Sequence, residues 1–241
     1  MRIIPSLVEP TAKDLFGRIA FLSPYYTQFQ VDIEDGVFIK NTTLSIDDFA
    51  AFVQQNHAAL SPTLVYDFHL MVQEYEASMQ VITTLKTLIH IDTILIHTKL
   101  HPDYVQLQHK YAPFRIGLVI NPEEDVADIV TVYDVQTVPI IQLMTIHPGP
   151  QGQPFIPEAL NKIEQLTKAG FGGQIYIDGA VNEQTVPQMA TLPHPPDVLC
   201  PGSYLAKSLA EDLGKKVQFL KLQMSNPQIT QIHNSITNDK V

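Results

Sequence analysis

Short runs rich in Ile, Val, Leu and Tyr alternate with longer polar segments of helical spacing from one end of this chain to the other. That alternation restricts the fold more than any other feature. Eight runs read as strands: Ile3 to Leu7, Phe29 to Ile33, Thr63 to Phe68, Thr93 to His97, Phe114 to Ile120, Pro139 to Thr145, Gln174 to Ile177 and Val198 to Cys200. Between them lie segments long enough for helices, among them Ile46 to His57, Tyr75 to Ile89, Glu124 to Tyr133, Pro157 to Ala169 and Tyr204 to Leu222. Eight strand-then-helix units predict one closed parallel (β/α)8 TIM barrel, and 241 residues is a length that one such barrel can use whole. A doubly wound open sheet shares the alternation, but it carries fewer strands and a glycine-rich phosphate turn after the first. Here that turn reads Ser6-Leu7-Val8-Glu9-Pro10. No linker divides the chain, so residues 1–222 are expected to form the barrel domain and 223–241 a polar C-terminal tail broken by Asn226-Pro227.

Composition removes several function classes. With 15 Lys+Arg against 25 Asp+Glu the formal charge is −10 and no basic patch is visible, so nucleic acid is not an expected partner. No apolar run reaches the ~18 residues of a membrane span, and the opening residues lack a signal peptide's apolar stretch. The lone cysteine, Cys200, permits no internal disulfide and reads as core. A cytoplasmic protein follows as the expectation, with room for a homo-oligomer.

In a barrel of this kind the reacting groups project from the C-terminal strand ends. The second strand closes with Gln30-Val31-Asp32-Ile33-Glu34, and the two-residue period aims Gln30, Asp32 and Glu34 to one side. The third ends in Asp67-Phe68-His69-Leu70-Met71, the sixth in Met144-Thr145-Ile146-His147 and the seventh in Asp178-Gly179-Ala180. Two carboxylates and an imidazole can therefore converge.

These segments resemble the ribulose-phosphate 3-epimerase family. Pro5-Ser6, VDIEDGVFIKN, DFHLM, INPEE, MTIHPGPQGQPFI, IDGA and PGSYL fall in the family's order across about residues 3 to 215. The resemblance implies epimerisation of D-ribulose 5-phosphate and D-xylulose 5-phosphate by proton transfer between two carboxylates, Asp32 and Asp178. It also implies a divalent cation (zinc, iron, manganese or cobalt) held by two His and two Asp, matched here by Asp32, His69 and Asp178. Substrate contacts are implied for Ser6, for Met71 and Met144 over the reacting carbons, and for Gly152, Gly179, Ala180, Gly202 and Ser203 around the phosphate, the last two opening a short helix.

The departures from the family pattern are specific. Gln30 replaces the second His ligand, exchanging an imidazole for a weaker neutral oxygen and predicting a weakened or absent metal. Glu34 stands where the family has methionine, offering a substitute ligand or a charge that repels an anion. Lys99 stands where the family has glutamate. As both residues lie on even strands, they are expected to face each other, with Lys99 as an electrostatic helper in place of the missing ligand. The phosphate loop carries Pro150, which has no N–H, and Gln151 in place of glycine. His147 reads as a loop residue, and His57, His90, His101, His109, His194 and His233 as surface or structural. These changes keep open a second reading: a non-catalytic or repurposed barrel that binds a sugar phosphate.

Overall fold

A computed structural model describes residues 1–225 of the chain. The strands are β1 (Arg2–Ile3), β2 (Ser6–Leu7), β3 (Gln28–Glu34), β4 (Val65–Met71), β5 (His90–His97), β6 (Arg115–Ile120), β7 (Ile140–Met144), β8 (Gln174–Asp178) and β9 (Val198–Cys200). They form one parallel sheet in the order β1-β9-β8-β7-β6-β5-β4-β3-β2. The two shortest strands are halves of one barrel strand interrupted at Ile4-Pro5. On one side Ser6 N–H donates to Pro201 C=O and on the other Gln30 N–H donates to Pro5 C=O, so this split strand bonds to both the last strand and the second and closes the sheet. The eight-stranded barrel expected from the alternation is the fold observed.

Helices α1 (Ala12–Leu22), α2 (Ile46–Asn56), α3 (Tyr75–Leu85), α4 (Tyr104–Lys110), α5 (Val126–Val132), α6 (Asn161–Lys168), α7 (Val186–Ala190), α8 (Ser203–Ala206) and α9 (Ala210–Ser225) follow the strands in turn. Their starts are chemically marked. The Thr11 and Ser45 hydroxyls accept from the Asp14 and Asp48 N–H groups at the heads of α1 and α2, satisfying donors that a helix leaves free at its first turn.

Alternation along each strand creates two cores. Outward residues such as Phe29, Val31, Phe68, Ile94 and Ile96 meet the helices, where Phe49 packs edge-on against Phe68 with ring centroids 5.1 Å apart. Inward residues Ile4, Leu95, Val119, Ile140, Met144, Tyr176, Val198 and Cys200 fill the barrel, and Cys200 is fully buried there as expected. At Gly117 on β6 a Cβ would lie 2.7 Å from Leu95 and 3.1 Å from Ile140, so the missing side chain is what lets those two interdigitate.

Several boundaries differ from the sequence expectation. The third strand begins at Val65 rather than Thr63, because Leu64 N–H closes a turn onto Ser61 C=O around Pro62. The segment Pro157 to Ala169 opens with a 3-10 turn, Pro157–Leu160, before α6. The expected helix Tyr204 to Leu222 divides into α8 and α9, with Ser208 Oγ donating 2.7 Å to Tyr204 C=O at the break and competing there for a helical carbonyl. The last helix also runs on to Ser225, past the helix end expected at Leu222. The remainder of the expected tail, with His233, lies outside the described residues.

Asp67, on the N-terminal half of β4, is fully buried and accepts from Gln28 Nε2 at 3.0 and 2.9 Å and from the Thr93 N–H at 3.2 Å. Burial lifts its carboxyl to about 7, against these donors. A carboxyl raised on folding binds more protons in the native than in the unfolded state. Its contribution to stability is full below its ordinary value near 3.8 and is lost as pH rises through about 7. Asp67→Asn should therefore flatten the loss of stability between pH 5 and 8 by on the order of 3 kcal/mol, measured by urea unfolding at both ends of that range. An unchanged slope would contradict this assignment.

Candidate active site

The register of the central strands places the site. Asp32 on β3 lies beside His69 on β4, and Met144 on β7 beside Asp178 on β8. The period of two then turns Gln30, Asp32 and Glu34 inward together, and all three are buried. Asp32, His69 and Asp178 bring one ligand atom each within 4.8 Å of one another. Nδ1 of His69 stands 3.4 Å from Asp32 Oδ1 and 3.5 Å from Asp178 Oδ2. The convergence expected from three strand ends is observed.

Hydrogen bonds hold the carboxylates. Ser6 Oγ donates 2.7 Å to Asp32 Oδ2, and the Gln30 amide spans the pair, donating 2.9 Å to Asp32 Oδ1 and 2.6 Å to Asp178 Oδ2. Above them opens a cavity lined by Ser6, Asp32, Glu34, Met71, Met144 and Asp178 and also by Gly152, Gly179, Ala180, Gly202 and Ser203. His69 and Gln30 lie beneath its floor, fully buried.

Electrostatics follow from burial. Desolvation raises Asp178, reinforced by the Asp32 charge and opposed by the bond to His69. Burial alone would lower His69, but its bonds to Asp178 and Asp32 and their charges lift it to about 9. Desolvation, with Asp32 adding to it, also lifts Glu34 to about 7, partly offset by the bond from Asn41 Nδ2. Among the described residues, the ion pairs of Asp32 and Asp178 are both made with this one imidazole. Two buried carboxylates, a third close by and an imidazole nitrogen make a donor set that fits a divalent cation, whose charge would balance the excess.

One expectation requires correction. Lys99 does not face Glu34: its side chain is 58% exposed and its Nζ donates 3.1 Å to Glu123 Oε1, in a neighbouring recess with Phe38, Lys40 and His147. The short 3-10 turn Thr98–Leu100 that follows β5 carries Lys99 out of the barrel, whereas Glu34 is still within its strand and takes Asn41 as partner. The short helix expected to open at Gly202 and Ser203 is α8, four residues long. His147 is an exposed loop residue 3.7 Å from Glu123 Oε2.

Two residues of the site escaped the sequence reading. His97, fully buried at the end of β5, places Nε2 2.8 Å from His69 Nε2, with the rings stacked at 5.0 Å. Gln142, fully buried on β7, lies 3.2 Å from Asp178 Oδ2 and 3.3 Å from His69 Nδ1 through its Nε2. Both carried a signal in the period of two. His97 shares the inward parity of Leu95, and Gln142 that of Met144, where a polar residue costs about 1–3 kcal/mol unless something uses it.

Comparison with known proteins agrees with this geometry. Residues 2–205 match the Ribulose-phosphate 3 epimerase family. A ribulose-phosphate 3-epimerase of Helicobacter pylori is 27% identical over 212 residues, covering 86% of this chain and 92% of that protein. One of Bacillus subtilis is 30% identical over 167 residues, covering 65% and 70%. Among solved structures, 3-hexulose-6-phosphate synthase from Salmonella typhimurium superposes with a TM-score of 0.64 at 13% identity, over 95% of this chain and all of that one. A tryptophan synthase chain from Pyrococcus furiosus does so with a TM-score of 0.62 at 15% identity, covering 91% and 97%, and both likenesses are of fold alone. With the family matched along nearly the whole barrel, this chain belongs to the ribulose-phosphate 3-epimerase family.

Proposed function

We propose that the chain interconverts D-ribulose 5-phosphate and D-xylulose 5-phosphate by moving a proton at carbon 3 between Asp32 and Asp178. The observation that carries this reading is the meeting of two buried carboxylates at the floor of one cavity, around a single imidazole. One carboxylate removes the proton alpha to the carbonyl, leaving an enediolate. The other, protonated at the outset, delivers its proton to the opposite face of carbon 3. The pair ends with one proton, as it began, on the other member. Asp178 suits the acid in one direction, since burial and the Asp32 charge favour its protonated form.

Neighbouring residues keep the pair in position. Ser6 fixes one oxygen of Asp32, while His97, held neutral by burial and the adjacent His69, can accept the Nε2 proton of His69 and so turn its Nδ1 to the carboxylates. Met71 and Met144 line the cavity with polarisable, water-excluding surface. Asp32, His69 and Asp178 would hold the cation, with Gln30 or Glu34 as further donors, and when bound it polarises the substrate oxygens and offsets the enediolate charge.

The phosphate reading rests on the loops rather than on a helix. Gly149, Gly152 and Gly179 have φ of 146°, 95° and 113°, and Ala180 follows at 49°. Of these, Gly179 and Ala180 are consecutive, and turns of successive residues can gather N–H groups into a concavity around an anion. A Cβ at Gly179 would lie 2.7 Å from Ile146 Cγ1 and 3.0 Å from its N, so glycine there lets the loop after β7 close down beside Asp178. Pro150 supplies no N–H, which lowers the expected phosphate affinity.

A second reading is favoured by one observation. The Gln30 amide already bridges both carboxylates, as it would in a barrel that binds a sugar phosphate without turning it over. Coupled assay of both pentose phosphates separates the two. The epimerase reading expects turnover in the parent, with Asp32→Asn and Asp178→Asn each lowering kcat by about 10³-fold while thermal melting remains cooperative. A thermal shift with the sugar phosphate and no product in the parent would establish the binding-only reading. Relief of the left-handed backbone at position 180 is tested separately: Ala180→Gly should raise stability by about 1 kcal/mol in urea unfolding, and a loss would contradict the strain.

A further inference from the structure

Gln142 is a polar group in the barrel wall that neither the proton transfer nor the phosphate loops employ. It converges with Gln30 on the same two atoms: Nε2 of Gln142 lies 3.3 Å from His69 Nδ1 and 3.2 Å from Asp178 Oδ2, and Nε2 of Gln30 lies 3.4 and 2.6 Å from them. The Oε1 atoms of both amides are buried without a hydrogen-bond partner among the described residues. No donor therefore holds either oxygen turned away from the carboxylates. A half-turn about the terminal bond of a carboxamide exchanges oxygen and nitrogen at nearly the same positions; it costs neither oxygen a bond but gives up the N–H donations of Gln30 to Asp32 and Asp178 and of Gln142 to Asp178, which a cation bound to those carboxylates would replace.

We propose that Gln142 and Gln30 present their amide oxygens to a divalent cation held by Asp32, His69 and Asp178, and that this set of four oxygens and one nitrogen narrows the advantage of Zn²⁺ over a hard ion such as Mn²⁺. The inference rests on the reading of those three residues as a cation site and adds to it a donor from β7 with no counterpart in the two-His, two-Asp pattern. Carboxylate and carbonyl oxygens suit Mn²⁺ and Mg²⁺, whereas Zn²⁺ gains most from imidazole and thiolate and is satisfied by four ligands. Replacing an imidazole by the Gln30 oxygen removes an advantage that zinc had. The Gln142 oxygen adds a ligand that a six-coordinate ion can use and a tetrahedral one does not need. Both amides are neutral, so they alter the choice of ion without adding to the charge of a floor that already holds two carboxylates.

The test is a titration of the metal-stripped, full-length protein with Mn²⁺, followed by loss of the free-ion electron paramagnetic resonance signal, and with Zn²⁺ by calorimetry. The parent is compared with Gln142→Leu, Gln142→Glu and Gln30→His. Gln142→Leu should weaken Mn²⁺ by about tenfold and Zn²⁺ far less, Gln142→Glu should tighten Mn²⁺, and Gln30→His should move the preference toward Zn²⁺. A folded Gln142→Leu protein that binds Mn²⁺ as tightly as the parent overturns the role of Gln142 and leaves the three-residue site standing. A parent that binds neither ion overturns that site and this inference together. Should Gln142→Leu fail to fold, Gln142→Glu decides: tighter Mn²⁺ supports the inference and unchanged Mn²⁺ overturns it.

Discussion

Two carboxylates buried at one end of a barrel repel each other, and much of the architecture around Asp32 and Asp178 serves to hold them there. At 4 Å and an effective dielectric of 20, like charges oppose one another by about 4 kcal/mol, a large share of what a domain has to spare. The relief is local. His69 is wedged between them and lifted to about 9, Ser6 and two glutamine amides donate to them, and desolvation pushes Asp178 toward its protonated form. The in-register pairs Asp32 with His69 and Met144 with Asp178 make this geometry a property of the sheet rather than of mobile loops. The closed barrel supplies that rigidity, since the split first strand bonds to both neighbours and leaves no free edge near the site.

The fold was legible in the sequence because a period of two set against longer helical segments is a global pattern, and shifts of two or three residues at Val65 or Ser225 do not disturb it. Asp32, His69 and Asp178 were legible for the same reason: the parity of a strand decides which side a residue faces, and the fold decides which end matters. Lys99 was misplaced because parity ends with the strand. One turn of 3-10 helix after His97 carries it outward to Glu123, a step that no alternation rule describes. His97 and Gln142 were passed over because the motif drew attention to strand ends that carry carboxylates, while the adjoining strands β5 and β7 also contribute to the floor of the site.

The replacement of a ligand histidine by Gln30 has a different meaning in the structure than in the sequence. Read alone it is the loss of a strong donor. In place, the amide lies between both carboxylates and beside a second glutamine, so the change is one part of a floor rebuilt with amides. Glu34 belongs to the same change in polarity, a carboxyl pushed up by burial and bonded to Asn41 rather than to a cationic partner across the barrel. The floor is more oxygen-rich than the two-His, two-Asp pattern implies, while the groups that would move protons are kept.

The most direct test of this account is hydrogen exchange at carbon 3, read by mass spectrometry after incubation of each pentose phosphate with the protein in D₂O. If Asp32 and Asp178 serve opposite faces, the parent incorporates one solvent deuteron at carbon 3 of the product. Each single Asn variant then loses epimerisation but still exchanges the carbon 3 hydrogen of one epimer, a different epimer for each variant. Exchange of the same epimer by both variants, or a product free of deuterium from the parent, would contradict the assignment of the two carboxylates to opposite faces.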